Sequence, residues 1–471
     1  MIETDRTPEL RCKYFTEPLL RFAAGKEHVD PKTGLARWGP LSLDPLKRHP
    51  DRVRVGFVGT SDTIEKAQKW ISVNATGVPG DEKHPDFPGC GADRGFHTAL
   101  DFSSDWNESI TQTEMKDVVQ PYQRKDKFDS LLNLIEAKFR LLDRKDLKPD
   151  YVVIALPESL SDWFTIDYHD KALGMVHRDL RRAIKARVMK YKIPTQLIDE
   201  KTIEFGDPDN PAKIAWNFFT GLYFKAGGTP WGPTGLSPGT CYMGVRFYRG
   251  LGSTNPSMFT SLVQAFDEHG EGLVFRGPDF EWIPEKHESK TPHLKMEDAM
   301  KLVQFALAKY SMEMHQLPSR VVIHKSSRWT HEEKTGIHEG LRGKVGRYDL
   351  LALQRQDSVR LITASKYPPL RGTRFQIGEL DFLYTTGFVA ELKQFHGMHV
   401  PSPLMIADHV GSDSSRETLI GEILTLTKMN WNAARLGGLL PITLEFARRV
   451  SDIMKEIPID EDPQPQAKFY S

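Results

Sequence analysis

Apolar runs typical of strands alternate with segments of helical spacing along most of this 471-residue chain. The run VRVGFVG ends in glycine, TIEKAQKWI follows it with helical spacing, and YVVIALP occupies 151–157. A basic helix is predicted over 177–191, before the strand TQLI and the helix AKIAWNFFTGLYFKAGG. Alternation of this kind produces a mainly parallel sheet with helices on both faces. We therefore predict a doubly wound α/β domain over roughly 50–230, with loop over 76–124 and helix over 126–143.

The glycine- and proline-rich stretch 227–240 is the best candidate for a domain boundary, and a second α/β unit is predicted beyond it. Its predicted strands are CYMGVRFYR, GLVFRG (272–277), RVVIHK (320–325), VRLITAS (359–365) and DFLYTT (381–386), and its predicted helices cover 296–315, 416–429 and 441–456. Residues 1–50 are rich in proline and glycine, which predicts short extended pieces joined by turns rather than helices. The expected organisation is an N-terminal linker or β segment over 1–50, one domain over 51–232 and another over 233–471.

Composition and charge exclude several classes of protein. The 63 Lys and Arg residues balance 63 Asp and Glu residues, so a polyanion has to be held by local basic surface rather than by the field of the whole molecule. No apolar run reaches the roughly 18–20 residues that cross a bilayer, and the N-terminus MIETDRTPELRCKYF lacks the apolar core of a secretory signal. Cys12, Cys90 and Cys241 are too far apart for a disulfide framework or a zinc site. We expect a cytoplasmic protein without a membrane partner.

Positive charge is concentrated between positions 177 and 192, where seven Lys or Arg residues accompany one Asp. Arg181 and Lys185 lie four residues apart and share one helix face. Gln196 stands at the start of the next strand, and Lys225 ends the following helix. A phosphate monoester carries close to two negative charges and several acceptor oxygens, so converging donors of these kinds would capture it. A solvated basic helix face explains the same charge run, and these residues alone leave both interpretations open.

Three positions in the second unit carry cations where one class of nuclease needs carboxylates. They are Arg246 in MGVRFYR, Lys325 in VVIHKSSRW and Arg448 in EFARRV. A ribonuclease-H-type sheet cleaves phosphodiesters by holding two divalent metal ions between carboxylates at neighbouring strand ends. A cationic side chain repels the ion that it would have to bind. Metal-dependent cleavage is therefore not expected at these positions, although the same side chains suit phosphate oxygens.

Four stretches, taken in their order and spacing, resemble the Argonaute proteins. They are RRAIKARVMKYKIPTQ, AWNFFTGLYFKAGG, VVIHKSSRWTHEE and ILTLTKMNWNAARLGGLLPITLEFARRV. The resemblance is to the short prokaryotic Argonautes, which retain only the MID and PIWI domains, and it covers about 50–471, while 1–50 is similar to their N-terminal strands. It implies a Rossmann-like MID domain over 51–232 that binds the guide 5′ end, followed by an RNase H-like PIWI domain over 233–471.

The resemblance also implies which residues bind the guide. The family's pocket for the guide 5′-phosphate falls on Arg181, Lys185, Gln196 and Lys225, with Arg181 where many members have Tyr or His. In the family the C-terminal carboxylate folds back to this pocket, often through Mg²⁺, which implies a role for Ser471 and a structural Mg²⁺ at the guide 5′ end. A further set of residues is expected to line the nucleic-acid channel: His177, Lys325, Lys428 and Asn430.

The family's catalytic tetrad falls on cations in this chain. Its first Asp corresponds to Arg246, its second to Lys325 and its last Asp or His to Arg448, whereas its mobile Glu has no assigned position within 277–298. This pattern resembles the inactive PIWI domains of short Argonautes, so no catalytic cofactor is expected. The resemblance implies a chain that binds nucleic acid without cleaving it.

Three partners follow from the resemblance. Short Argonautes load a small guide RNA, find complementary single-stranded DNA of an invading plasmid or phage, and are usually encoded with a second protein that fuses an APAZ region to an effector. The effector is a sirtuin-like or TIR domain that consumes NAD, or a nuclease, and its activation stops the infected cell. The implied function is guide-dependent immunity by abortive infection, with the enzymatic activity in the partner.

Two enzymatic alternatives stay open on the sequence. An active guide-directed endonuclease would need replacement carboxylates, for which Asp267, Glu268 and Glu271 are candidates. The turn in GFVGTSDTIEKAQKW would suit a nucleotide-binding α/β enzyme, but Gly56 and Gly59 lack the third glycine of the dinucleotide fingerprint. Cleavage of a matched target would identify the first alternative, and a copurified nucleotide would identify the second.

Overall fold

An N-terminal segment precedes two α/β units in the structure. The structure is a computed structural model that describes residues 10–82, 84–171, 173–204, 210–251, 257–264, 272–283, 291–364, 366–395, 399–411 and 414–471. The elements of the N-terminal segment are β1 (Arg11–Tyr14), β2 (Leu20–Arg21), β3 (Glu27–His28) and α1 (Pro31–Trp38). Helix α1 contradicts the prediction of extended pieces and turns alone over 1–50. Asp30 starts it by accepting a hydrogen bond from the backbone N–H of Thr33 at 2.7 Å, and a proline fills its first position.

The first unit is built around a parallel sheet. Its elements are β4 (Arg52–Gly59), α2 (Ser61–Asn74), β5 (Cys90–Gly91), β6 (Arg94–Gly95), β7 (Ala99–Ser109), α3 (Gln112–Val119), α4 (Arg124–Asp143), β8 (Tyr151–Leu156), β9 (Thr165–Asp170), β10 (Gly174–Asp179), α5 (Leu180–Val188), β11 (Thr195–Asp199), α6 (Glu200–Glu204) and α7 (Pro211–Lys225). Within the described residues, four strands pair in parallel in the order β11-β8-β4-β7. All of β8 is buried, as expected of a strand covered by helices on both faces.

Two predictions for the first unit are wrong. Residues 76–124, expected to be loop, contain β7 and α3. Strand β7 reads ALDFSSDWNES and is half exposed because it pairs with β4 at the sheet edge, so it has no apolar run to reveal it. The helix predicted from His177 begins only at Leu180. His177 belongs to β10, which pairs with β9 in a hairpin.

The second unit is built around a larger, mixed sheet. Its elements are β12 (Gly232–Pro233), β13 (Thr240–Tyr248), β14 (Ser257–Gln264), β15 (Leu273–Glu281), α8 (Met296–Met314), β16 (Arg320–Lys325), α9 (His331–Leu341), β17 (Arg347–Arg355), β18 (Thr373–Ile377), β19 (Leu380–Leu383), β20 (Leu404–Val410), α10 (Arg416–Leu426) and α11 (Ile442–Met454). The described strands form a nine-stranded sheet in the order β1-β18-β19-β20-β17-β16-β13-β14-β15. Strands β13, β16 and β17 are parallel to one another, and β1 of the N-terminal segment closes one edge.

The prediction of a strand over 359–365 is wrong. The described residues 359–364 form no strand, and β17 (Arg347–Arg355) lies between β16 and β20 instead. Strand β17 reads RYDLLALQR, in which leucine and alanine favour a helix locally, so its strand conformation comes from pairing on both sides. Strands β14, β18 and β20 and helix α9 were not predicted either, whereas the helices over 296–315, 416–429 and 441–456 are confirmed within a few residues.

One apolar core extends through both units and the N-terminal segment. It includes the fully buried side chains of Phe22, Trp216, Trp231 and Tyr470. The last residues of the chain, which could have frayed, are held in place: Gln466 bridges to Leu273, and a 3-10 turn over Ala467–Phe469 packs against α7. The surfaces between the two units are therefore held in a defined arrangement. No helix in the described ranges combines the length and the apolar character needed to cross a membrane.

Candidate nucleic-acid interface

Helix α5, strand β11 and helix α7 bring the predicted phosphate ligands together. Asp179 caps α5 by accepting a hydrogen bond from the backbone N–H of Arg182 at 3.1 Å. The apolar residues of α5 are buried against the first unit, which turns Lys185 toward α11. Gln196 is the second residue of β11. Helix α7 runs antiparallel to that strand, and its last residue is Lys225.

Lys225 and Gln196 form the floor of the pocket. The Lys225 Nζ donates to Gln196 Oε1 at 2.7 Å and to the backbone carbonyl of Thr195 at 3.2 Å. Only 1% of Lys225 is exposed, and the charges that act on it are all positive. Burial, followed by repulsion from Lys185 and Arg449, holds the pKa of Lys225 well below its usual range. The two oxygen atoms that accept hydrogen bonds from Lys225 are both neutral. A bound anion would therefore be the first negatively charged group to contact the Lys225 amine, as far as the described residues show.

Lys185 and Arg449 complete a group of three convergent cations. The amines of Lys185 and Lys225 lie within hydrogen-bonding contact. Burial, aided by the nearby Arg449, lowers the pKa of Lys185 to about 7. Burial likewise lowers the pKa of Arg449, whose Nη1 is buried with no hydrogen-bond partner in the described part of the chain. Such an arrangement is costly for the protein alone and complementary to a phosphate dianion.

The contribution of Arg449 was missed at the sequence level. Its neighbour Arg448, predicted as a degenerate catalytic position, is 55% exposed and pairs with Glu445 at 3.0 Å. Neighbouring residues of a helix point about 100° apart, so only one of the two arginines can face the pocket. The helical spacing of the apolar residues could have identified Arg449. It lies three residues after Phe446 and four before Ile453, both of which are buried.

Arg181 and His177 lie at the periphery of this group. Arg181 is 54% exposed and contacts Asp199 at 3.5 Å, so its guanidinium is available at the pocket rim. His177 does not share a helix face with Arg181, because it lies on β10. Its Nδ1 is 2.8 Å from Oδ1 of Asp167 across the hairpin. The prediction that His177 stacks one turn behind Arg181 is therefore wrong.

Ser471 is buried at the end of the chain, beside α7. Its hydroxyl donates to the carbonyl of Ala467 at 3.3 Å, and the preceding turn packs against the helix that carries Lys225. The pocket offers three cations and one amide, and Mg²⁺ prefers oxygen anions and carbonyls. No group of three or more His, Cys, Asp or Glu residues placed to hold a metal ion occurs among the described residues. The Mg²⁺ expected between the guide phosphate and the Ser471 carboxylate stays a prediction.

Lys325 is directed away from Arg246 and Arg448. Strands β13 and β16 pair in parallel with Gly244 opposite His324. The His324 Nδ1 contacts the Thr443 hydroxyl of α11 at 2.8 Å, so the next residue along, Lys325, faces the opposite side of the sheet. There its Nζ lies 2.6 Å from both carboxylate oxygens of Glu333, and 2% of the side chain is exposed. Strand β16 ends at Lys325, so the pairing of β13 with β16 stops at Gly244 and His324, before it reaches Arg246.

The expectation that Lys325 and Lys428 line a nucleic-acid channel is wrong. Both side chains are buried in ion pairs: Lys325 with Glu333, and Lys428 with Glu17 at 2.8 Å. Burial lowers the pKa of Lys428 to about 8. Asn430 is half-buried, and its Oδ1 accepts a hydrogen bond from the backbone N–H of Asn432 at 3.1 Å, which shapes a turn.

The two enzymatic alternatives gain no support from the described residues. Asp267, Glu268 and Glu271, the candidate replacement carboxylates, lie outside them. Gly56 and Gly59 lie within β4 rather than in a turn after it. A Cβ on Gly59 would overlap the carbonyl of Ala155 on β8, so this glycine allows two strands to approach and does not form a phosphate-binding loop.

Comparison with known proteins places the whole chain in one structural class. No protein-family model matches the sequence, and no curated protein matches it either. Solved structures do match. Clostridium butyricum Argonaute, bound to a guide DNA and a 19-mer target DNA, superposes with a TM-score of 0.68 at 16% identity, over 96% of this chain and 54% of that one. A. aeolicus Argonaute superposes with a TM-score of 0.59 at 15% identity, over 98% of this chain and 55% of that one.

Drosophila Piwi superposes with a TM-score of 0.60 at 13% identity, over 97% of this chain and 56% of that one. The chain thus spans about half the length of the Argonautes that it matches. These matches confirm the predicted fold class, a Rossmann-like unit followed by an RNase H-like unit, and the protein has an Argonaute-like fold.

Proposed function

We propose that this protein is a guide-dependent nucleic-acid sensor, which binds the 5′-phosphate of a small guide RNA and recognises complementary single-stranded DNA. The convergence of Lys185, Lys225 and Arg449 carries the proposal. The hydrogen-bond acceptors of Lys225 are neutral oxygens, whereas Asp179 acts on Lys185 and Glu445 on Arg449. A terminal phosphate would supply further negative charge to this group of cations. The Clostridium butyricum Argonaute, which has the same fold, is bound to a guide DNA and a 19-mer target DNA.

Further cations extend from the pocket across the junction of the two units. Arg449 lies within Coulombic range of Arg435 and Arg448, and Arg448 in turn acts on Arg246. Arg435 also acts on Lys32 of the N-terminal segment. Such a series supports contact with successive phosphates of a strand, whose sequence would be read by base pairing rather than by the protein.

We propose that target binding is not followed by cleavage in this chain. Two of the three positions expected to replace metal ligands, Arg246 and Arg448, carry cations near one another on the sheet face that packs against α11. Two divalent ions would meet positive charge where carboxylates are needed.

The biological outcome is proposed from the resemblance to short Argonautes. Pairing of guide and target would activate an associated APAZ-bearing protein whose sirtuin-like, TIR or nuclease domain depletes NAD or degrades nucleic acid, as a form of abortive infection. Co-purification of the chain with such a neighbouring gene product is expected, and NAD or nucleic acid should be lost only when guide and complementary DNA are both present. Loss without guide or target would contradict guided activation.

The phosphate pocket is tested by binding of short RNA with and without a 5′-phosphate. For the double variant Lys185→Ala with Gln196→Ala, we expect affinity for the phosphorylated RNA to fall at least tenfold and affinity for the 5′-hydroxyl RNA to change little. Lys69→Ala with Lys116→Ala, two exposed lysines on α2 and α3, is the matched control. Equal losses for both RNAs in the pocket variant would contradict the proposal.

A further inference from the structure

A second basic cavity lies beside the phosphate pocket. Its volume is about 430 Å³, and it shares Lys225 with the pocket but not Lys185, Gln196 or Arg449. Its walls come from the segment between α5 and β11, from the start of β8, and from Arg48, which precedes β4. Seven cationic side chains and two carboxylates line it. The cavity is therefore a separate place at which negative charge could be held.

Both carboxylates of the cavity are already neutralised. Asp150 accepts two hydrogen bonds from the Arg54 guanidinium, at 2.9 and 2.6 Å, and Asp143 pairs with Lys148 at 2.7 Å. Five cations remain after these two pairs are set aside. One of them, Lys190, pairs outside the cavity with Glu136 at 2.7 Å.

Arg48 and Lys192 are the cations of the cavity with most to gain from an anion. Both are exposed, and neither side chain forms a hydrogen bond or ion pair within the described residues, although Arg48 acts electrostatically on Asp150. Lys192 adopts a left-handed conformation with φ of 58°, which a non-glycine residue rarely takes, at the end of the turn over Met189–Tyr191. That turn fixes where the Lys192 side chain leaves the backbone.

The remaining wall of the cavity is apolar and rigid. Ile193 and Pro194 are buried, and the half-buried Tyr191 stacks on Phe139 at 6.5 Å between ring centroids. A concave site of this size with apolar walls and a few charged groups is typical of small-molecule binding, since pockets for such ligands measure roughly 300–1,000 Å³.

We propose that this cavity binds a small phosphorylated molecule, with Arg48 and Lys192 as the principal phosphate ligands and Tyr191 beside the less polar part. The proposal does not depend on guide binding, because Lys185 and Arg449 do not line the cavity. Lys225 stands between the two sites, so occupation of the cavity would place negative charge within reach of the guide pocket as well.

Calorimetric titration with inorganic triphosphate tests the site. The double variant Arg48→Glu with Lys192→Glu should bind triphosphate at least tenfold more weakly than the unmodified protein, and the control Lys69→Glu with Lys116→Glu should bind it unchanged. Because triphosphate could also enter the guide pocket, Lys185→Met with Arg449→Met is titrated in parallel and should retain a binding event. Circular dichroism confirms folding of each variant.

Four results would overturn the proposal: no heat with the unmodified protein, unchanged binding by the Arg48/Lys192 variant, complete loss of binding in the Lys185/Arg449 variant, or displacement of bound triphosphate by 5′-hydroxyl DNA. If the guide-pocket proposal is wrong, the variant Lys185→Ala with Gln196→Ala will discriminate between 5′-phosphate and 5′-hydroxyl RNA as the unmodified protein does. The two proposals can therefore fail separately.

Titration with ADP decides the ligand class. If ADP binds more tightly than pyrophosphate, the ligand is a nucleotide; if the two bind equally, it is a free phosphate compound. Displacement of bound triphosphate by 5′-hydroxyl DNA would overturn a small-molecule site.

Discussion

Stability and binding make opposite demands at Arg449. Its Nη1 is buried without a hydrogen-bond partner in the described part of the chain, and Lys185 and Lys225, whose pKa values are both lowered, lie close by. Burying a charge costs free energy in the unliganded protein, and Glu445 offsets only part of that cost. An anion in the pocket would offset that cost. The group that destabilises the free protein would therefore also contribute strongly to anion binding.

Replacing Arg449 with an uncharged side chain of similar length should separate these effects. For Arg449→Met we expect the free energy of unfolding to rise by about 1 kcal/mol, because a buried guanidinium whose Nη1 has no hydrogen-bond partner in the described part of the chain is exchanged for an apolar side chain. Affinity for 5′-phosphorylated RNA should fall by about 10- to 100-fold, the range of a charge-assisted hydrogen bond of about 1.5–3 kcal/mol. Urea denaturation and fluorescence anisotropy measure the two quantities, and a loss of both would indicate a purely structural role.

Lys185 should make guide binding depend on pH. Burial and Arg449 lower its pKa to about 7 in the free protein, below the usual value for lysine, and a bound phosphate dianion would raise it again. Affinity for 5′-phosphorylated RNA should therefore fall as the pH rises from 7 to 9, because the bound complex must take up a proton. Below about pH 6 the phosphate itself loses charge and affinity should fall there too.

The control for this pH profile keeps the charge at position 185 and removes its titration. In Lys185→Arg the guanidinium stays protonated to pH 9, so the alkaline limb of the profile should flatten. Binding of 5′-hydroxyl RNA should show little dependence between pH 7 and 9 in either protein. An unchanged alkaline limb in Lys185→Arg would mean that another group titrates.

Single-residue assignments show what the sequence could and could not determine. The order of Lys185, Gln196 and Lys225 along a helix, a strand and a second helix allowed converging donors, because a parallel α/β sheet brings those element ends together. A solvated basic face explained the same residues, and their assignment to one pocket came from the resemblance to Argonautes. Distinguishing Arg448 from Arg449, and placing Lys325, requires knowing which face of the helix or strand is turned toward the neighbouring elements. A helix turns by 100° per residue and a strand alternates faces, so a shift of one residue changes the direction of the side chain completely.

At the scale of elements, the N-terminal segment is fastened to the second unit by a buried charge cluster. Glu17 lies 2.7 Å from Arg371 and 2.8 Å from Lys428, and all three side chains are at most 2% exposed. Burial alone would raise the pKa of Glu17, but the two cations lower it. Lys428 also donates to the carbonyls of Pro18 and Val29, at 2.6 and 2.7 Å.

Breaking this cluster should be far more costly than breaking an exposed pair of the same segment. Glu17→Ala leaves two buried cations without their carboxylate, and we expect a loss of about 3–5 kcal/mol in the free energy of unfolding. Lys13→Ala removes a half-exposed pair with Glu417, at 3.0 Å, and should cost less than about 1 kcal/mol. Urea denaturation compares them, and similar losses would show that Glu17 is not a fastening point.

Elements were predicted correctly where local pattern and tertiary environment agree. The apolar runs of β4, β8 and β16 and the long periodic helices belong to this group. Strands β7 and β17 do not: β7 is a polar edge strand, and β17 is rich in leucine and alanine but lies between two partners. Pairing partners from distant parts of the chain decided their conformation, and a single sequence does not contain that information in a local window.

At the scale of the whole molecule, charge is balanced but unevenly distributed. The formal net charge is zero, yet Lys185, Lys225 and Arg449 converge from both units, and Arg435 and Arg448 continue the positive surface. Because one apolar core extends through both units, these cations are held at fixed separations. We infer that nucleic-acid binding depends on this local field and weakens steeply with added salt.

The same distribution of charge predicts binding without cleavage. Arg246 on β13 and Arg448 on α11 lie within Coulombic range of each other, near Glu445 and Asp452, so two divalent ions placed between strand and helix would meet cations as well as acids. Incubation with 5′-phosphorylated guide, matched DNA and Mn²⁺ should leave the DNA intact while a gel shift shows it bound. The same DNA with a metal-dependent nuclease is the positive control. A guide-dependent product cut at one defined phosphodiester would require carboxylates from elsewhere in the chain, and would show that cations at Arg246 and Arg448 do not prevent metal binding.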